Sequence, residues 1–217
     1  MTELGFDRFS LIFIFALLGL APFILMVISS FLKIVVVLSL IRNALGVQQI
    51  PPNTIVNSIA IMLSIFIMAP IAQDTYALLK DKSLDYKKTE NIMTGFEIGK
   101  KPIQEFLLKH SGKVERRFFI KTAKLLWPEG RAEHLTEDSF LVLIPAFTIS
   151  ELTSAFKIGF LLYLPFIVID LVVSNILLAM GMMMVSPMTI SLPFKLLLFV
   201  LINGWSRLVH GLVLTYQ

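Results

Sequence analysis

Residues 156–195 read FKIGFLLYLPFIVIDLVVSNILLAMGMMMVSPMTISLPFK. The apolar run from Phe156 to Val185 exceeds the ~20 residues that a helix needs to cross a bilayer. This run nevertheless contains a proline and an acid, and a glycine with three consecutive methionines lies near its end. Two more prolines follow the run. A proline frees a carbonyl group that lipid cannot bond. The stretch therefore predicts membrane helices that are interrupted and packed against protein.

The composition of the whole chain fits a membrane protein with one polar part. Of its 217 residues 56% are hydrophobic, and the mean hydropathy is +0.82, well above that of soluble domains. Cysteine is absent, which excludes disulfides and thiolate chemistry. His110, His134 and His210 are too far apart for a metal site, and no basic stripe suggests nucleic acid. We expect no enzymatic activity, no cofactor, no metal and no nucleic-acid partner.

Charge divides the chain into three parts. Residues 80–138 hold 13 of the 19 Lys and Arg and 10 of the 15 Asp and Glu. We predict two apolar helical parts, 1–79 and 139–217, around a polar and mainly helical insert, 80–138. Hydropathy predicts about four membrane spans, within Phe9–Ile41, Ile55–Ala72, Phe156–Val185 and Leu192–Leu214.

Prolines recur within or beside the apolar runs. Each removes a helix hydrogen bond, so we predict an all-α protein of broken helical hairpins that needs protein neighbours. The run at 140–150 is too short to span a bilayer and is predicted to be half of a hairpin. The prolines in question are Pro22, Pro70, Pro145, Pro165, Pro187 and Pro193.

The insert shows a helical pattern of its own. Apolar residues recur at helical spacing from Ile103 to Leu126, with a turn predicted at Ser111–Gly112 and an end at Pro128. A segment of this size is marginal alone, so we expect it to dock on something. Its lysines favour a cytoplasmic location, whereas Arg42 in the preceding connector favours the opposite one, and these charges leave both open.

Several charges lie inside the apolar runs, where an unpaired charge is costly. They either lie near helix ends in water or pair between helices or subunits. Glu151 and Lys157 point in different directions on a helix, and Lys195 is the obvious partner for Glu151. For Asp170 we predict a structural polar contact, with Ser174 one turn on. A proton relay is the alternative, although no histidine or second acid continues the path.

A polar connector, RNALGVQQIPPN, occupies residues 42–53. Its first two residues can close the end of a helix, and its glycine favours a left-handed turn there. A turn explains most of the pattern, although the two glutamines add more polarity than a turn needs. The residues concerned are Arg42, Asn43, Gly46, Gln48 and Gln49.

The connector, the preceding FLKIVVVLSL and the long segment from LIPAFTISELTSAFKIG to LINGW closely resemble the FliP/SctR family. These are export-apparatus proteins of bacterial flagellar and type III secretion systems. The resemblance covers roughly residues 20–72 and 139–206 and is highly specific. LLWPEG in the insert resembles the injectisome branch. The acidic N-terminus is unlike a secretory signal, so we expect it to be retained, which also favours that branch.

The resemblance implies a homopentamer that joins smaller export proteins of the SctS/FliQ and SctT/FliR types. Together they form a cone-shaped helical export gate in the basal body at the bacterial inner membrane, partly above the membrane plane. The insert faces the periplasm, unfolded substrates pass along the axis, and other components supply energy. Glu151 and Lys195 match an acid and a lysine that pair between adjacent subunits. A constriction described as a gasket matches Met182, Met183 and Met184.

The methionine triplet is the strongest candidate for a functional site. Gly181 lets the backbone leave the helix, and Pro187 and Pro193 are predicted to prevent it from resuming smoothly. Single methionines often fill irregular cores. Three consecutive residues, however, span about 200° of a helix and cannot all face one core. We therefore predict that loops carrying Met182–Met184 meet at the axis of a ring and seal a pore.

Two other functions remain open. A structural scaffold of the basal body without a conduit would leave ion leakage independent of the methionines. A small-solute or proton-coupled transporter would show polar residues converging in both halves and an internal repeat. The sequence shows neither of the last two features.

Overall fold

The structure, a computed structural model, describes residues 15, 19–20, 22–47, 50–81 and 89–217. Its regular elements in these ranges are helices and none is a strand, which confirms the predicted all-α class. The helices are α1 (Pro22–Ile28), α2 (Phe31–Ala44), α3 (Asn53–Asp81), α4 (Thr89–His110), α5 (Lys113–Leu126), α6 (Phe140–Ala179), α7 (Pro187–Leu201) and α8 (Gly204–Leu214).

Two of the described helices, α3 and α6, are long and apolar enough to cross a membrane. The number rises to four if each bent pair is one span: α1 with α2, which meet at 78°, and α7 with α8, which meet at 61°. This range includes the number predicted from hydropathy. Only 22% of the apolar window of α3 and 17% of that of α6 are buried within the chain. Most of their surface is thus left for lipid or for other proteins.

Proline does not interrupt the long helices. Helix α3 continues through Pro70, and α6 continues for 40 residues through Pro145 and Pro165. The prediction that residues 140–150 form half of a hairpin is therefore wrong, because they are the first part of α6. A long apolar helix tolerates an internal proline where neighbouring groups bond the freed carbonyl.

The two bent helix pairs are instead interrupted at polar residues. Between α1 and α2, Ser30 is fully buried and its hydroxyl donates to that of Ser64 in α3 at 3.2 Å. Between α7 and α8, Asn203 has a left-handed backbone with φ of 53°. Asparagine adopts this conformation more readily than other non-glycine residues. The bends therefore depend on side-chain chemistry that hydropathy does not report.

Helix α2 is the centre of the main core and packs against both α3 and α6. Its inward residues recur at helical spacing and are at most 2% exposed. Gly159 of α6 lies against Leu40, and a Cβ added to this glycine would collide with that side chain. A larger residue at position 159 would therefore force the Leu40 side chain to move, so glycine favours the close approach of α2 and α6. The inward residues of α2 are Ile34, Val37, Leu38 and Ile41.

The insert contains α4 and α5, which are joined at the predicted turn, and Arg116 holds this turn together. Arg116 is 5% exposed and donates to the backbone oxygens of Leu108 at 3.1 Å and Ser111 at 2.6 Å. Its guanidinium also pairs with Glu137 at 3.2 Å. The end of a helix leaves carbonyl groups without intrahelical partners, and Arg116 supplies donors to them at the end of α4.

The insert docks on the apolar helices of its own chain. Helices α4 and α5 both pack on α6, and Phe106 of α4 lies against Phe147 of α6 with ring centroids 5.6 Å apart. Helix α5 ends at Leu126, before Pro128, as predicted. Because this smaller core is shared with α6, the division of the chain into three parts stays a prediction.

Candidate functional site

The methionine triplet lies in the loop between α6 and α7. Helix α6 ends at Ala179, and Gly181 adopts a left-handed backbone with φ of 72°, as expected for a residue that lets the chain leave a helix. The side chains that follow are 40%, 80% and 101% exposed at Met182, Met183 and Met184. A methionine that fills a core is buried, so the last two do not serve that purpose within one chain.

The chain returns to a helix directly after this loop. Helix α7 begins at Pro187, where the missing N–H of proline is not needed, and it continues through Pro193. The prediction that these two prolines prevent the helix from resuming smoothly is wrong. Since α6 and α7 pack on each other, the methionines form the tip of a helical hairpin.

Lys195 lies in α7, about two turns beyond the start of this helix, and is only 3% exposed. Its ammonium group donates to Oδ2 of Asp170 at 2.6 Å and to the backbone oxygen of Ala44 at 3.1 Å. Oδ1 of Asp170 accepts a hydrogen bond from Ser191 at 2.6 Å. Because Ala44 ends α2, a cation there also suits the helix dipole. The group therefore joins the methionine hairpin to the first apolar half.

The sequence did not indicate these partners of Asp170. Ser191 and Lys195 are four residues apart and share one face of α7, which packs on α6. Within the described ranges the structure records no hydrogen bond between Asp170 and Ser174. The spacing of Ser191 and Lys195 was a usable signal, but only once α6 and α7 were known to be neighbours.

Glu151 belongs to a second buried group, at the other end of α2. It is 2% exposed, and its Oε1 lies 2.9 Å from Nζ of Lys33, which is 3% exposed. The hydroxyl of Tyr216 donates to Oε2 of Glu151, and Nζ of Lys33 lies 4.0 Å from the centre of the Tyr216 ring. Within one chain Glu151 and Lys195 thus have separate partners. Their pairing between subunits stays a prediction.

His110, at the end of α4, lies beside this group. Its ring centroid is 5.1 Å from that of Tyr216 and 4.8 Å from that of Phe106. Burial, and then the charges of Lys33 and Lys109, lower the pKa of His110 to about 4. The imidazole is therefore neutral at neutral pH and adds no positive charge next to Lys33. The insert, α2, α6 and the C-terminal segment all meet here.

The connector has the predicted left-handed turn, since Gly46 has φ of 75°. The amide of this glycine donates to the backbone oxygen of Asn43 at 3.1 Å. Arg42 donates to Oδ1 of Asn53 at 2.5 Å and to the backbone oxygen of Pro51 at 3.2 Å, which ties the end of α2 to the start of α3. Two of the predicted connector residues lie outside the described residues: Gln48 and Gln49.

Comparison with known proteins gives long matches. The family model of the FliP family matches residues 14–212. Yop proteins translocation protein R of Yersinia pestis is 55% identical over 97% of each chain. The hypersensitivity response secretion protein HrcR of Ralstonia nicotianae is 49% identical over 96% of this chain and 97% of that protein. Virulence protein YscR of Salmonella typhimurium is 48% identical over 95% and 96%, respectively.

These matches extend across both apolar parts and also across the insert, where the motifs had shown little resemblance. They cover nearly the full length of each relative. The methionine hairpin, the two buried ion pairs and the connector all fall inside the matched range. The chain therefore belongs to the FliP/SctR family of type III secretion proteins.

Proposed function

We propose that this protein is a subunit of the export gate of a type III secretion system and forms the conduit for unfolded substrate proteins. The observation that carries the proposal is the exposed methionine triplet at the tip of the α6–α7 hairpin. An apolar tip that its own chain does not cover is suited to meet its equivalents at a symmetry axis. The named relatives are translocation and secretion proteins.

The seal depends on the physical character of methionine. Its unbranched thioether side chain adapts to irregular neighbours, so a ring of such side chains closes against itself and excludes water and ions. The same ring yields to an unfolded polypeptide of any sequence. Asp170 is engaged by Lys195 and Ser191, which favours a structural role for this acid over a proton relay.

The proposed assembly is a homopentamer with SctS/FliQ-type and SctT/FliR-type proteins inside the basal body. The uncovered apolar surfaces of α3 and α6 support such neighbours, because most of each apolar window is unburied in one chain. Pairing of Glu151 with Lys195 of an adjacent subunit belongs to this proposal. For this pairing to form in a ring, Glu151 must leave Lys33 and Lys195 must leave Asp170.

The insert faces the periplasm in this proposal, and the connector faces the cytoplasm. The chain contains no cysteine, so a single introduced cysteine reports its own location. A cysteine at the exposed Glu129 should react with a membrane-impermeant thiol reagent in intact spheroplasts. A cysteine at the exposed Asn43 of the connector is the control and should react only after lysis. The reverse pattern would contradict this topology.

The conduit role is tested by crosslinking to a substrate that is stalled during export. A photoreactive residue at Met183 should form a covalent adduct with the stalled polypeptide. The same residue at Leu125 of the insert, which is similarly exposed at 76%, should form none. Normal secretion without any adduct at position 183, while the substrate is crosslinked elsewhere in the complex, would favour a scaffold without a conduit.

A further inference from the structure

A narrow groove with a volume of about 530 Å³ separates α6 from α8. Residues of α2 and α7 also line it, and the lining residues are apolar except for one arginine and one residue with a hydroxyl. That hydroxyl, on Thr215, already donates to the backbone oxygen of Leu212 at 2.7 Å. The main apolar lining residues are Ile41, Ile158, Leu162, Phe166, Leu208 and Leu212.

Arg207 is the charged residue of this groove. Its side chain is exposed, and none of the carboxylates in the described ranges lies within ion-pair distance of it. Trp205, two residues earlier, is 40% exposed. Tryptophan and arginine at one level of an apolar helix are typical of the zone where helices meet lipid headgroups. An exposed cation beside apolar surface, without a partner in the described ranges, is available to an anion from outside the chain.

We propose that the groove holds one acyl chain of an anionic phospholipid, with the lipid phosphate against Arg207. Basic pockets between membrane helices bind anionic headgroups in this way. From Gly204 to Thr215 the α8 wall is about 16 Å long, which suits an extended acyl chain. Arg207 lies in the first turn of α8, and the apolar lining continues along this helix to Leu212. This is the arrangement that a charged headgroup followed by an acyl chain requires.

Gly211 gives the groove its depth. It lines the cavity, and a Cβ added to it meets no atom within 4 Å. A larger side chain there would therefore enter the groove without displacing the protein. Gly204 is different, because a Cβ added to it would collide with the ring of Phe199. Leucine at position 211 is thus the variant that fills the site while it leaves the fold intact.

Native mass spectrometry of the full-length chain in mild detergent tests this site, with phosphatidylglycerol and phosphatidylethanolamine as probes. The unaltered chain should retain phosphatidylglycerol more strongly. Arg207→Gln should weaken phosphatidylglycerol binding about fivefold, the effect of one charge near a membrane surface, and leave phosphatidylethanolamine unchanged. Gly211→Leu should remove the binding of both lipids.

The control is Lys157→Gln, which removes an exposed cation that lies on α6 and outside the groove lining. It should change the affinity for neither lipid. Equal retention of phosphatidylglycerol by Gly211→Leu and the unaltered chain would overturn the site. Equal binding of both lipids by the unaltered chain would overturn the role of Arg207. A change of oligomeric state in Gly211→Leu without loss of lipid would assign the groove to a second copy. None of these outcomes depends on protein export.

Discussion

Replacing Lys33 with methionine should lower the free energy of unfolding by about 3–5 kcal/mol, because it leaves Glu151 charged and buried without a cation. Both partners are at most 3% exposed, and their atoms lie 2.9 Å apart. Methionine is unbranched like lysine, so the packing around the chain of methylene groups changes little. The hydroxyl of Tyr216 remains as a donor to Glu151, but it carries no charge. The measurement is thermal unfolding of the purified full-length chain in detergent.

Two variants show whether the effect belongs to this ion pair. Lys157→Met removes an exposed lysine of α6 for which the described ranges show no ion pair, and it should change stability by less than about 0.5 kcal/mol. Adding Glu151→Gln to Lys33→Met removes the uncompensated charge and should recover most of the loss. If Lys33→Met alone is as stable as the original chain, the pair does not support the fold.

Variants that exchange the charges of Glu151 and Lys195 test the assembled complex rather than the single chain. Glu151→Lys and Lys195→Glu should each impair assembly and secretion, because each leaves buried like charges. Their combination should recover part of the secretion if the two residues meet between subunits. A double variant that secretes no better than the worse single variant would contradict that pairing.

Local signals predicted local features well. The turn at Ser111–Gly112 and the left-handed residues Gly46 and Gly181 follow from glycine and helix-end chemistry that the sequence displays directly. The helical class followed from composition and spacing. These features depend on a few adjacent residues, so no knowledge of the tertiary fold was needed to find them.

Long-range pairing was not predictable in the same way. Lys33 and Glu151 are far apart in sequence, and nothing local marks them as partners until α2 lies on α6. Tyr216 contacts both residues because α8 places the C-terminal segment beside the insert. The sequence instead pointed from Glu151 to Lys195, because neither has a partner on its own helix, and that pairing between subunits stays a prediction. The continuity of α6 was missed for a related reason: the cost of Pro145 depends on neighbours that only the fold supplies.

Replacing the methionine triplet with alanine should open a leak for small ions while the complex still assembles. Met183 and Met184 are 80% and 101% exposed within one chain, so their loss leaves no cavity in the subunit and little effect on its folding is expected. In the proposed ring, alanine side chains are too short to meet at the axis. Water then fills the constriction, so the constriction can no longer block ions by staying dry.

A matched control separates the seal from a general effect of removing methionine. Met62 lies on α3 and is 61% exposed, but it is remote in sequence from the hairpin tip. Met62→Ala should leave the membrane tight to ions. Leucine at all three loop positions should keep the closed state dry, because leucine is equally apolar, but should slow export, because it adapts less to passing side chains.

The most direct measurement is the conductance of the purified complex in a planar lipid bilayer, with the triple alanine variant compared with Met62→Ala. The seal predicts discrete ion-conducting steps for Met182→Ala/Met183→Ala/Met184→Ala and a silent membrane for the control. A triple variant that assembles with the normal subunit composition and conducts no more than the control would contradict the methionine seal.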